Sequence, residues 1–136
     1  MVVAPGRARA PRAFMFAASV LILSVAGVVA LSAMNRREFS VSAHKYAYKI
    51  EGSDKPEIRV TQGDLVSITF SSEDIPHSFT IDEYRIMKRA EQGKPVSFDF
   101  VADKLSPPGG FRIRCTLTAD SRCRELAAVL IVEPKK

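Results

Sequence analysis

Beyond residue 34 the chain alternates apolar and polar positions in short runs, the period-two pattern of half-buried strands. Phe39, Val41 and Ala43 are apolar on one side of Ser40 and Ser42. Tyr46, Tyr48 and Ile50 resume the alternation one residue out of step, which predicts a bulge in a single strand. Gly52 to Pro56 reads as a turn, Glu57 to Thr61 as a short strand, and Gln62-Gly63-Asp64 as a tight turn. Leu65 to Phe70 follows as a strand that sends Leu65 or Val66, with Ile68 and Phe70, inward. Further strands are expected at Ser78 to Ile81, Val96 to Ala102, Phe111 to Cys115 and Ala128 to Val132, with Pro107-Pro108-Gly109-Gly110 as a turn and Phe98, Phe100 and Phe111 as core. Tyr84 to Gln92 breaks the pattern with Arg85, Lys88 and Arg89, and is expected as a loop or a single helical turn with solvated charges. Short strands between turn signals predict an all-β, antiparallel sandwich.

The first 34 residues differ in kind. Phe14 to Met34 is an uncharged run of 21 residues, and a helix rising about 1.5 Å per residue would span the roughly 30 Å hydrocarbon core. A cleaved signal peptide is the rival reading, but its apolar region is about 7–15 residues long with a small-x-small site behind it, and Leu31-Ser32-Ala33 is a poor one. The expected organisation is a basic cytoplasmic N-terminus over 1–13, a transmembrane anchor over 14–34, and one domain over 35–136. Arg7, Arg9 and Arg12 precede the helix with no acid among them, which favours a cytoplasmic N-terminus, although Arg36 and Arg37 follow it. The protein is therefore expected to cross the cell membrane once, with its C-terminal domain on the periplasmic side.

Charge excludes one class of partner. The 136-residue chain has a formal net charge of +5, of which the three N-terminal arginines supply three. Residues 35–136 carry only the remainder, mixed with acids, so nucleic acid is not expected as a partner.

The candidate chemistry is concentrated in His77 and the two cysteines, Cys115 and Cys123. An imidazole and two thiols are soft ligands suited to copper, and two thiols outside the cytoplasm also suit a disulfide. The chain has no phosphate-cradling glycine loop, zinc-protease helix or nucleophile elbow. Glu73, Asp74, Asp82 and Glu83 bracket the His77 strand, but with no nucleophile beside them they read as solvated loop ends. No catalytic residue is assigned. Arg112 and Arg114 alternate with Phe111, Ile113 and Cys115 and are expected on the wet face.

The ordered set formed by the Gln62-Gly63-Asp64 turn, Asp74-Ile-Pro-His77-Ser-Phe, Gly93-Lys-Pro-Val-Ser-Phe-Asp-Phe-Val-Ala-Asp-Lys104, Cys115, and Leu130-Ile-Val-Glu-Pro134 resembles the cupredoxins. The likeness is greatest to the CuA-type periplasmic domain of cytochrome c oxidase subunit II and nitrous oxide reductase, and covers roughly residues 38–134. It implies a Greek-key sandwich with copper ligands at one end, His77 and Cys115 among them. The ligand set is altered: the second cysteine position holds Ala119, the histidine position holds Cys123, and the methionine position holds Leu126. The resemblance therefore does not extend to a dinuclear centre.

Three readings of the site remain open. His77, Cys115 and Cys123 are the ligands of one copper ion, with Leu126 as an apolar lid. Alternatively Cys115 and Cys123 form a disulfide, worth about 2.5 kcal/mol on the chain-entropy model, and His77 is a half-buried histidine bonded to a backbone carbonyl. The third is a reactive dithiol flanked by Arg114, Arg122 and Arg124, against which stands the absence of a C-x-x-C motif. His44 is expected at the surface or a strand edge, because the family pattern has no ligand there. The function implied by the resemblance is copper binding with electron transfer to or from a respiratory or copper-handling partner. In that reading His77 is the exposed edge ligand, Cys115 the thiolate path and Cys123 the third ligand. A copper-free assembly module and a Cu(I) chaperone are the alternatives. The chain is not expected to be an enzyme alone, and an electron-transfer component of an oxidase-type complex is the nearest such role.

Overall fold

The structure, a computed structural model, describes residues 34–136 together with Gly6. The expected basic N-terminus apart from Gly6, and all of the expected anchor but Met34, lie outside the described residues. Among the described residues no helix is long and apolar enough to cross a membrane. Ser32–Lys136 forms a compact unit of its own.

Among the described residues nine strands make two sheets. β1 (Arg36–His44), β2 (Ala47–Ile50), β4 (Leu65–Ser72) and β7 (Val96–Val101) form one, in the order β2-β1-β4-β7. β3 (Glu57–Thr61), β5 (His77–Ile81), β6 (Ile86–Ala90), β8 (Phe111–Arg114) and β9 (Ala127–Glu133) form the other, in the order β3-β9-β8-β5-β6. The chain changes sheet five times between β2 and β8, as a closed sandwich with Greek-key connections requires. The sheets are mixed rather than purely antiparallel, since β1 pairs with β4 and β3 with β9 in parallel.

Two segments differ from the sequence reading. The phase slip after Ala43 is a hairpin and not a bulge: β1 and β2 pair antiparallel, and His44 faces Ala47 across the Lys45-Tyr46 turn. Tyr46 takes φ 69 there, the left-handed backbone that such two-residue turns need. Tyr84 to Gln92 contains strand β6, which pairs along β5 at the sheet edge after a 3₁₀ turn over Asp82–Tyr84. Its lysine and arginine hide the period-two pattern, because edge strands commonly carry such charges. Lys88 lies 5.8 Å over the Phe98 ring and closes the sandwich edge.

The core lies between the sheets. Val66, Ile68 and Phe70 of β4 face Phe79, Ile81, Ile113 and Leu130 of the opposite sheet, all fully or nearly fully buried. Phe79 is the hinge of an aromatic cluster, with ring centroids 5.7 Å from Phe70 and 5.4 Å from Phe98. Fully burying such side chains stabilises by roughly 1.5–3 kcal/mol each. Phe111 is buried, whereas Phe98 and Phe100 are half-buried and packed against this core. β5 is buried on both faces. Its outer hydroxyls, Ser78 and Thr80, bond to each other and to Thr116, so no polar atom is stranded there.

Candidate metal centre and its disulfide

β4 ends in a knot of local hydrogen bonds that aims His77. The Ser72 hydroxyl donates to the Ile75 carbonyl, and the Asp74 carboxylate accepts the Ile75 N–H at 2.8 Å. Pro76 then carries the chain into β5, whose first residue is His77. Its imidazole is 0% exposed. The structure thus corrects two expectations: His77 is not an exposed edge ligand, and its partner is not a backbone carbonyl but the carboxylate of Asp74, 2.6 Å from Nε2. Asp74 is likewise no free loop end.

Burial pushes the Asp74 carboxyl up, but the hydrogen bonds from His77 and from the Ile75 N–H outweigh it and hold the group below the usual carboxylate range. An ionised carboxylate accepts and does not donate, so Nε2 bears the proton of this contact. In the neutral imidazole the lone pair is then on Nδ1. That atom faces Cys115 Sγ at 3.8 Å.

Cys115 follows β8 directly, and Ser78 ties it to the His77 strand. The Ser78 N–H donates to Cys115 Sγ at 3.3 Å, the Thr116 N–H donates to Ser78 Oγ at 2.8 Å, and Tyr48 OH donates to the Ser78 carbonyl at 2.5 Å. Cys123 arrives from a one-turn helix, α1 (Ser121–Arg124). Asp120 caps it, accepting the Arg122 N–H at 2.9 Å. The Arg122 guanidinium lies 2.9 Å from the same carboxylate, and this hydrogen bond holds Asp120 down at about 2. The turn carries Cys123 inward until it is fully buried, and Leu126 behind it is buried too.

The two cysteines are joined. Cys115 and Cys123 form a disulfide with Cα atoms 5.2 Å apart, and no described cysteine is free. Nδ1 or Nε2 of His77 and the two sulfurs lie within 4.8 Å of one another. A disulfide sulfur is not a thiolate and does not suit copper, whereas the same two sulfurs after reduction, beside an unprotonated Nδ1, form a soft NS2 set. The residues fit one copper ion in the reduced form alone.

The remaining candidates are dispersed. Arg112 is exposed as expected, and Arg114 forms a two-bond ion pair with Asp82 on the outer face, at 3.0 Å for each bond, so neither approaches the sulfurs. His44 is partly buried at the end of β1, in an open groove that Asp74, Asp120 and Arg122 also line. Asp74 is the residue of this cluster that the sequence reading does not place beside His77. Its signal was the acid three positions before His77, across an Ile-Pro step that forces a tight return.

Solved structures share this architecture. A chain of a haem-copper terminal oxidase dimer matches with a TM-score of 0.64 at 20% identity, covering 73% of this chain and 65% of that one. The periplasmic domain of subunit II of cytochrome oxidase from Bradyrhizobium japonicum matches at 0.59 and 12% identity, over 71% of this chain and 83% of that one. The domain has the cupredoxin fold. Auracyanin A, a blue copper protein from Chloroflexus aurantiacus, matches at 0.54 and 14% identity, over 73% of this chain and all of its own. No family model and no curated protein sequence matches. At these identities the likeness concerns the fold alone.

Proposed function

We propose that this chain is a membrane-anchored, extracytoplasmic cupredoxin that holds a single Cu(I) ion between His77, Cys115 and Cys123 when its disulfide is reduced. The observation that carries the reading is the Asp74-His77 contact, which fixes the tautomer and leaves Nδ1 free beside the sulfurs. The buried, partly apolar setting of the three side chains favours a soft, low-charge ion over a hydrated one. When bound, copper would supply a one-electron redox couple and affinity for thiolate. His77 orients one nitrogen, the two cysteines supply the sulfurs, and Asp74 keeps the imidazole from turning.

Carriage of Cu(I) fits this ligand set better than cycling between oxidation states. Two neighbouring thiolates can give one electron each to two Cu(II) ions, becoming a disulfide and leaving two Cu(I). A respiratory oxidase or copper-handling protein is the partner proposed, on the strength of the oxidase chains that share the fold. The retained anchor over 14–34 and the periplasmic placement are supported by the apolar run and by a disulfide that a reducing cytoplasm would not maintain.

The disulfide itself favours a second reading, a copper-free module stapled by Cys115 and Cys123. Equilibrium dialysis against buffered Cu(I) separates the two. The first reading expects one copper per chain after reduction, none in the oxidised protein, and a large loss of affinity in His77→Ala. The stapled module expects no copper in either state.

A further inference from the structure

The end of the sandwich opposite His77 has a composition of its own. β1 and β4 run in parallel, so Arg36 and Leu65, with Val101 of β7 beside Leu65, mark one end, and Ala43 and Ser72 mark the other, where the candidate centre lies. Of the five exposed large apolar side chains among the described residues, Met34, Val101 and Leu105 gather at the first end. Arg36, Arg37 and Lys135 line an open groove beside Met34. Lys104 is tied to this end through its Nζ bond to the Glu83 carbonyl at 2.6 Å and through the Gln62 amide bond to the Asp103 carbonyl at 3.1 Å.

Lys104 also lies 4.7 Å over the Tyr84 ring, so its charge is partly engaged within the domain. Arg37, Lys104, Lys135 and Lys136 form no ion pair among the described residues. Arg36 is shared between Glu38 and Asp99. Asp64, which lines the same groove, is nearly buried and accepts the Thr61 N–H at 2.9 Å, and Glu133 is paired with Arg59, while Glu83 and Asp103 form no ion pair among the described residues. Exposed apolar tips ringed by long basic side chains are the composition of a surface that meets lipid headgroups. The apolar atoms enter the acyl boundary, and the lysine and arginine heads stay among the phosphates.

We propose that this end docks on the anionic headgroups of a lipid bilayer, with Met34 and Leu105 entering between them and Arg37, Lys104, Lys135 and Lys136 on the phosphates. Met34, the last residue of the uncharged run over 14–34, lies at this end. The nine residues of β1, at about 3.3 Å each, separate the two ends. Docking therefore holds the His77 end about 30 Å out from the headgroups, open to a partner approaching from solution.

The test uses residues 34–136, whose sheets and core are complete in themselves, and vesicles of phosphatidylcholine with or without phosphatidylglycerol. At low salt the fragment is expected to sediment with the phosphatidylglycerol vesicles and not with phosphatidylcholine alone, and to be released as salt is raised. A cation near such a surface is worth about fivefold in affinity, so Arg37→Glu, Lys104→Glu and Lys135→Glu together should weaken binding at least a hundredfold. Lys45→Glu with Arg124→Glu, away from this base, should leave it unchanged, and Leu105→Ser should weaken it less than the charge reversals. No binding to phosphatidylglycerol vesicles, equal binding to both vesicle types, or equal loss from Lys45→Glu with Arg124→Glu would each overturn the proposal. The first of these with retained binding to an acidic protein would reassign the surface to a protein partner. The fragment lacks the anchor, so cleavage of residues 14–34 in the cell leaves this result untouched.

Discussion

Reduction of the disulfide should cost stability that Cu(I) then restores, and the two magnitudes can be compared. Cys115 and Cys123 are separated by 8 positions, and freeing a loop of this length adds conformational entropy to the unfolded chain worth about 2.5 kcal/mol. For a domain of about 100 residues each kcal/mol moves Tm by about 4–8 °C, so reduction lowers Tm by about 10–20 °C. On the proposed reading copper binds the folded site more tightly than the extended chain. At about 1,000 times its dissociation constant it contributes about 4.1 kcal/mol, more than the disulfide did. The expected order of Tm is therefore reduced, then oxidised, then reduced with Cu(I), and the oxidised protein does not respond to Cu(I). Differential scanning fluorimetry with bicinchoninate-buffered Cu(I) reads all four states. A reduced protein whose Tm stays low at saturating Cu(I), or an oxidised protein that gains as much, would refute the reasoning.

Removing the His77 anchor by Asp74→Ala leaves a buried Nε2–H without its partner, which costs about 1–3 kcal/mol in urea unfolding and about 10–100-fold in Cu(I) affinity. Asp74→Asn keeps an acceptor and should lose less of both. Gly110→Ala places a Cβ 2.7 Å from Ile131 Cδ1 and 2.9 Å from the Leu130 carbonyl oxygen at φ +83, so it should destabilise by about 1–3 kcal/mol in the same assay. Leu126→Ala empties a fully buried position behind Cys123 and is expected to cost about 2–5 kcal/mol. Asp120 titrates at about 2 in the fold against 3.8 in an ordinary carboxyl, so its contribution is complete above pH 3.8 and is lost as the pH falls toward 2. In acid titrations followed by circular dichroism, Asp120→Asn should flatten the loss of stability across that interval.

Most strands were legible because a half-buried strand writes its burial into alternate residues: Val66, Ile68 and Phe70 are inward, and Ser67 and Thr69 are not. Where the pattern failed, the cause was local. β6 sits at an edge, where Lys88, on the same face as Ile86 and Ala90 and over the Phe98 ring, interrupts their apolar phase, while Arg89 is exposed. The hairpin at Lys45-Tyr46 reads as a bulge in the sequence because neither residue is the glycine or asparagine that usually marks such a turn. The parallel pairings of β1 with β4 and β3 with β9 leave no mark in a single strand, since register and direction are set by contacts far apart in sequence. The sulfur pair and His77 were legible through soft-ligand chemistry and the order of the motifs. Asp74 was not, because an acid at a strand end looks solvated until the backbone return at Ile75 and Pro76 brings it under the imidazole.

The central claim is that reduction turns a disulfide into a copper ligand pair beside His77. X-ray absorption at the copper edge of the reduced, Cu(I)-loaded domain tests it most directly. One nitrogen and two sulfur neighbours per copper are expected, with the nitrogen lost in His77→Ala. A shell without two sulfurs, or one unchanged in His77→Ala, would contradict it.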